Sequence, residues 1–189
     1  MLKLSQTRSD SSRGLLKPLR RRFVAQVPGL LALLAGCDGS GQRGGRLNPD
    51  ERLPDVFLPG LDGVGHRVPG SAAPLLINFW ATWCQPCRAE MASLNRLHLA
   101  TRSRGLGFFG ISVDEDVNLV REFVLQSGVE FPILVDRGGA VSRESFRIGA
   151  YPTTLLARQD GRLHALVEGA REWDSGSALK QVMSLLGEG

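Results

Sequence analysis

Cysteine and histidine are scarce: three of each among 189 residues. So few cysteines exclude a disulfide framework of the small secreted kind. A tetrahedral zinc site needs four N, S or O ligands. Only one close cysteine pair exists, and His66, His98 and His164 have no ligand spacing to it. No metal or other cofactor is therefore expected. A continuous apolar run of about 20 residues, the length that crosses a bilayer, is also missing. The nearest approach is Phe23 to Gly36, interrupted by Gln26 and Pro28. No internal repeat is visible.

Basic charge is missing from the body of the chain. The formal net charge is +4, with 23 Lys and Arg against 19 Asp and Glu. Seven of those basic groups (Lys3, Arg8, Arg13, Lys17, Arg20, Arg21, Arg22) lie in residues 1–37, against Asp10 alone. The remainder carries 16 basic and 18 acidic groups. A folded basic surface for nucleic acid is thus excluded.

The leader reads as a targeting segment. Arg20-Arg21-Arg22 precedes the apolar stretch, which ends in Leu34-Ala35-Gly36-Cys37. That ending resembles a bacterial lipobox, in which the cysteine is lipidated and becomes the mature N-terminus. The expectation is a signal peptide over 1–37, anchored through Cys37 at the periplasmic face of the inner membrane. A plain secretory signal, releasing the protein to the periplasm, is the alternative. Arg20-Arg21-Arg22-Phe23-Val24 also resembles the twin-arginine export pattern, which an ordinary basic leader matches equally. In lipoproteins of this type an acid after the cysteine, here Asp38, goes with retention at the inner membrane. Residues 38–53 are Gly-rich and polar and predict a flexible tether with a reach of about 20–25 Å. The folded domain is expected over 54–189.

Within it, Pro54 to Val68 predicts a β-hairpin around Leu61-Asp62-Gly63. Leu75 to Trp80 is a continuous apolar run, as in a strand buried on both faces. A helix follows from Cys84 to about Ser103, then a strand over Leu106 to Val113. Asp114 and Asp116 are candidate caps for a helix that Gly128 ends. A strand over 131–135, a short helix over 140–146, a hairpin around Gln159-Asp160-Gly161 and a helix over 175–186 complete the chain. Alternating β and α elements closed by a hairpin predict an α/β sheet covered on both sides. Trp80, Phe108 and Phe109 are expected in its core.

The chemistry concentrates at Trp83-Cys84-Gln85-Pro86-Cys87, where a strand gives way to a helix. A bridge between residues three apart closes a very small loop and would stabilise little. A cycling dithiol is the better reading. Cys84 at the helix N-cap meets unpaired N–H groups and the positive end of the helix dipole, which favour a thiolate. Pro86 suits the first turn, where its missing N–H has no partner in any case.

Residues Phe79 to Met91, with Ala150-Tyr151-Pro152-Thr153-Thr154 and Asp160-Gly161-Arg162, resemble the TlpA/ResA-type thiol-disulfide oxidoreductases of the thioredoxin superfamily. The resemblance covers about Pro54 to Leu186. It implies a thioredoxin-like fold, a central mixed sheet flanked by helices with an N-terminal β-hairpin. It makes Cys84 the attacking and Cys87 the resolving cysteine. Pro152 is implied to be cis and, with the Tyr151 backbone, to shape the substrate groove beside a wall formed by Trp83. Glu90 is implied to be an acid on the Cys87 side of the helix, exchanging a proton with it. Where thioredoxins carry an Asp in the preceding strand this chain has Asn78, which cannot accept that proton. Ala92 replaces a common proline.

The implied activity is reduction of disulfides in exported proteins, apocytochrome c foremost, with electrons from a membrane dithiol donor. A monomer is expected. A peroxiredoxin-like peroxide reductase is one alternative, although Thr82 lies too close to Cys84 for the usual spacing. A non-catalytic metal-delivery module is the other; that role uses a wider cysteine spacing and a dedicated histidine.

Overall fold

A computed structural model describes residues 45–70 and 73–187 of the chain. The expected leader, its Cys37 and the first part of the tether lie outside the described residues.

Among the described residues seven strands and four α-helices follow one another as β1 (Val56–Pro59), β2 (Gly65–Val68), β3 (Leu75–Trp80), α1 (Gln85–Thr101), β4 (Gly107–Ser112), α2 (Val117–Ser127), β5 (Ile133–Val135), α3 (Ala140–Glu144), β6 (Thr153–Ala157), β7 (Leu163–Glu168) and α4 (Gly176–Leu185). The main sheet has the order β5-β4-β3-β6-β7. β3 pairs in parallel with β4 and antiparallel with β6, so the sheet is mixed. β1 and β2 form a separate hairpin.

All six residues of central β3 are buried, as expected of its largely apolar run, and the polar Asn78 is buried with them. Side chains alternate across the sheet. Leu76 and Trp80 join one core with Met91, Leu94 and Leu97 of α1, Val120 of α2 and Val182 of α4. Leu75, Ile77 and Phe79 face a second core with Leu58, Val68, Phe146 and Leu155. Trp80 and Phe108 are core residues, while Phe109 is only half-buried. Asn78 shares the face of Leu76 and Trp80, so a polar group points at α1 from within the sheet.

The folded region begins earlier than expected. Leu47 and Leu53 are buried in the second core. Asp50 N–H donates to the Leu163 carbonyl, and Leu163 N–H donates to that of Glu51, at 2.8 Å each. Arg147 pairs with Glu51 and Arg158 with Asp50. Residues 47–53 therefore belong to the domain rather than to the tether. They pair with Gly161 to Leu163 at the start of β7, as Gly60 and Leu61 pair with β5.

Candidate active site

α1 starts where β3 and β4 deliver their C-terminal ends. Cys84 is its N-cap, with extended backbone, and its Sγ accepts the Cys87 N–H at 3.3 Å. Pro86 lies in the first turn. The two cysteines are joined by a disulfide. Cys84 keeps 7% of its surface exposed, whereas Cys87 is fully buried. Of the pair, only Cys84 keeps any surface open to a partner.

Trp83 is 68% exposed and meets Tyr151 edge to face, ring centres 6.0 Å apart. This contact brings the loop before β6 to the residue preceding Cys84. The Tyr151–Pro152 peptide is cis. The Pro152 carbonyl is held by Gly169 N–H at 2.9 Å, and Thr153 Oγ1 donates to the Ala150 carbonyl at 2.8 Å. A second cis peptide, Val68–Pro69, was not anticipated from sequence.

Glu90 is 2% exposed, on the inward face of α1 with Cys87. Its Oε1 accepts from Asn78 Nδ2 at 2.8 Å. Its Oε2 accepts from the Trp173 indole at 3.0 Å and from the Arg171 amide at 3.2 Å. Burial pushes the carboxyl above its ordinary value; the Trp173, Asn78 and Arg171 hydrogen bonds and the Arg171 charge pull it back only in part. Asn78 also donates to Thr154 Oγ1 at 3.0 Å, tying Glu90 to β6.

The raised value has a consequence for stability. The folded protein holds the Glu90 proton more tightly than the unfolded chain does. The stability this contributes is fully present below the ordinary value near pH 4.5 and is lost as pH rises through the raised folded value. Wild type minus Glu90→Gln stability is expected to fall over that window, by no more than about 1.4 kcal/mol per pH unit for one proton. Denaturant midpoints of both proteins from pH 4 to 9 check this. Parallel curves would refute it.

Asp114 does not cap α2; Asp116 does, accepting from Asn118 N–H at 2.8 Å. The Asp114 carboxylate is buried and reaches back to the loop before Cys84. It accepts from Thr82 N–H at 3.0 and 3.2 Å, from Thr82 Oγ1 at 2.6 Å and from Ser112 Oγ at 2.8 Å. The Thr82 hydroxyl is thereby committed to Asp114. Arg88 lies over the Phe123 ring at 5.6 Å. His66 packs against Phe109, and His98 against Phe108 and Phe131. Among the described residues no group of three or more His, Cys, Asp or Glu could hold a metal ion.

The AhpC/TSA family model matches residues 49–166, which span the dithiol, Glu90, Asp114 and the cis-proline. The chain belongs to the AhpC/TSA family. It is similar to the thiol-disulfide oxidoreductase ResA of Oceanobacillus iheyensis, 29% identical over 177 residues, covering 84% of this chain and 87% of the relative. It is 32% identical over 117 residues to ResA of Geobacillus thermodenitrificans, covering 61% of this chain and 67% of the relative. Its backbone matches a crystal structure assigned as the thiol:disulfide interchange protein DsbE of Chlorobium tepidum. There the TM-score is 0.69 at 23% identity, covering 75% of this chain and 99% of the other. The fold is therefore thioredoxin-like, and within the family this member is a ResA-like thiol-disulfide oxidoreductase.

Of the residues that the sequence marks as one site, the structure joins Cys84 to Cys87 by a disulfide, sets Trp83 against Tyr151, and buries Cys87 and Glu90 on the inward face of α1. Sequence reasoning missed Asp114 as a loop anchor and Trp173 altogether. A tryptophan between charged residues, as in Arg171-Glu172-Trp173-Asp174, is the one signal that could have marked the latter, because a buried indole N–H needs an acceptor.

Proposed function

We propose that this protein is a membrane-tethered, extracytoplasmic disulfide reductase working through the Cys84/Cys87 dithiol. The Cys84 thiolate attacks one sulfur of a partner disulfide. A mixed disulfide forms and the partner's other sulfur leaves as a thiolate, which takes up a proton. Cys87 then gives its proton to the Glu90 carboxylate and attacks the Cys84 sulfur. The Cys84–Cys87 bond forms and the partner's second sulfur leaves. That second sulfur leaves as a thiolate and takes the proton back from Glu90, so the partner gains two electrons from this chain and two protons, the first from solvent and the second the one that began on Cys87. A dithiol donor at the membrane restores the reduced form. No further cofactor takes part.

What carries this proposal is the bridge at the start of α1, with Cys84 keeping a little exposed surface and Cys87 buried on the same inward helix face as Glu90. The helix dipole and the Cys87 N–H favour the Cys84 thiolate. Trp83 and the Tyr151 backbone flank the cis-Pro152 and offer an extended partner segment both an apolar wall and β-type pairing. Exported proteins, with apocytochrome c Cys-x-x-Cys-His sites foremost, are the substrates. The chain acts as a monomer, held by a lipid on Cys37 after removal of the preceding signal peptide. The tether runs from residue 38 to about residue 46, and the domain follows.

The deciding measurement is the reduction potential of the Cys84–Cys87 couple, titrated against glutathione and dithiothreitol. A value at or below that of the glutathione pool, about −220 to −260 mV, is expected of a reductase. A value near −120 mV, that of a dedicated oxidant, would reverse the direction of flow.

A further inference from the structure

We infer that Trp173 is a positioning residue for the exchange reaction: its indole N–H and the Arg171 amide occupy Glu90 Oε2 with donors, so that the carboxyl carries its proton at Oε1, the oxygen facing Asn78. This rests on the reading of Glu90 as the acceptor of the Cys87 proton.

The two carboxyl oxygens are in different surroundings. Oε2 faces two fixed N–H groups, from the Trp173 ring and the Arg171 backbone. A proton on Oε2 would point at donors, which is unfavourable. Oε1 faces one group, the Asn78 carboxamide. That carboxamide has a spare acceptor: Asn78 Oδ1 is buried with no hydrogen-bond partner among the described residues. An unpaired buried oxygen is costly and calls for an explanation. Turning the carboxamide over presents Oδ1 to Oε1, where the neutral acid offers an O–H. Asn78 thus serves both states of Glu90, donating to the carboxylate and accepting from the acid.

Trp173 fixes which oxygen is involved. It is fully buried in the core against α1. It is held by Ser93 Oγ, which accepts the Trp173 backbone N–H at 3.1 Å, and by the Arg171 guanidinium 4.8 Å above its ring. The segment between β7 and α4 therefore reaches across to the second turn of α1. The groups facing Glu90 are few. Arg171 carries the nearby charge. Asn78 and Thr154 come from the sheet and do not titrate, and Cys87 lies on the same helix. Trp173 stabilises the carboxylate by donation, and its removal makes Glu90 hold a proton more tightly.

The test follows Cys87 directly. Reduced protein is mixed with 5,5′-dithiobis(2-nitrobenzoate) between pH 4 and 9. Release of the second thionitrobenzoate reports Cys87 attacking the Cys84 sulfur. Trp173→Phe keeps an aromatic ring and loses the N–H. Its pH break is expected about one unit higher than wild type, a tenfold change in proton affinity. Glu90→Gln is expected to abolish the break, and Trp173→Phe in that background to change nothing. If Glu90→Gln leaves the break in place, the acceptor role of Glu90 fails. If Glu90→Gln removes it and Trp173→Phe does not move it, Trp173 does not position the proton. A shift that persists in the double variant also overturns the proposal, since packing alone would then be the cause. Should Trp173→Phe not fold, the wild-type indole resonance decides. The Trp173 Hε1 proton must titrate in step with Glu90, and a pH-invariant signal overturns the proposal.

Discussion

Cys84→Ser is expected to reduce protein-disulfide exchange to the uncatalysed background, a loss on the order of 10³-fold or more. Cys87→Ser is expected to stop turnover in a different way, by accumulating a covalent adduct on Cys84. The asymmetry follows from burial. Cys84 keeps a little of its surface exposed, and Cys87 has none. The local field follows the same order, because Cys84 Sγ sits at the cap of α1 and accepts the Cys87 N–H. A serine hydroxyl in that place has no accessible anion to offer near neutral pH. A serine at 87 leaves the attack intact but removes the thiol that expels the partner. Non-reducing gels and intact mass, read after mixing each variant with an oxidised protein substrate, separate the two cases. An adduct on Cys84→Ser, or none on Cys87→Ser while wild type turns over, would reverse the assignment of the two sulfurs.

What could be read ahead of the structure was whatever has a local cause. β3 was legible because a six-residue run with five apolar members is what a strand buried on both faces looks like. The α1 cap was legible because a proline in the first turn and a cysteine before it fit helix-start chemistry. Gly128 ends α2 in the left-handed conformation, as expected of a glycine there. The domain start was misplaced because Leu47 and Leu53 lie among glycine and polar residues, and what fixes them is backbone pairing to β7 more than 100 residues on. Asp114 was misread for a related reason. It stands in an Asp-x-Asp run before a helix, where either acid could be the cap, and its true partner Thr82 is 32 residues earlier. Trp173 and Glu90 are separated by 83 residues, and no periodicity links a loop to a helix face. Side chains whose partners are distant in sequence became visible only once the sheet had brought them together.

Asp114→Ala carries the largest expected cost in stability, about 3–5 kcal/mol. The carboxylate is 2% exposed and takes hydrogen bonds from three groups: the Thr82 amide, the Thr82 hydroxyl and the Ser112 hydroxyl. Alanine leaves all three donors without their acceptor in a part of the fold that water reaches poorly. Each such orphan costs roughly 1–3 kcal/mol, and because they share one partner the costs do not simply add. Asp114→Asn keeps the shape but turns one acceptor into a donor facing donors, so it should fall between alanine and wild type. The activity should suffer more than the lost stability explains. Asp114 ties the exit of β4 to the loop that carries Trp83 into Cys84, and the exposed Trp83 meets Tyr151 edge to face. At a temperature where the alanine variant is still folded, its kcat/KM for a protein disulfide is expected to drop about tenfold, as misplacing a positioned group does. Exchange with a small disulfide, which does not need the Trp83 wall, should change little. Urea unfolding and the two substrates measured side by side check both parts. A destabilisation under about 1 kcal/mol, well below the cost of even one lost acceptor on this scale, or equal losses on large and small disulfides, would show that Asp114 neither anchors the loop nor shapes the docking surface.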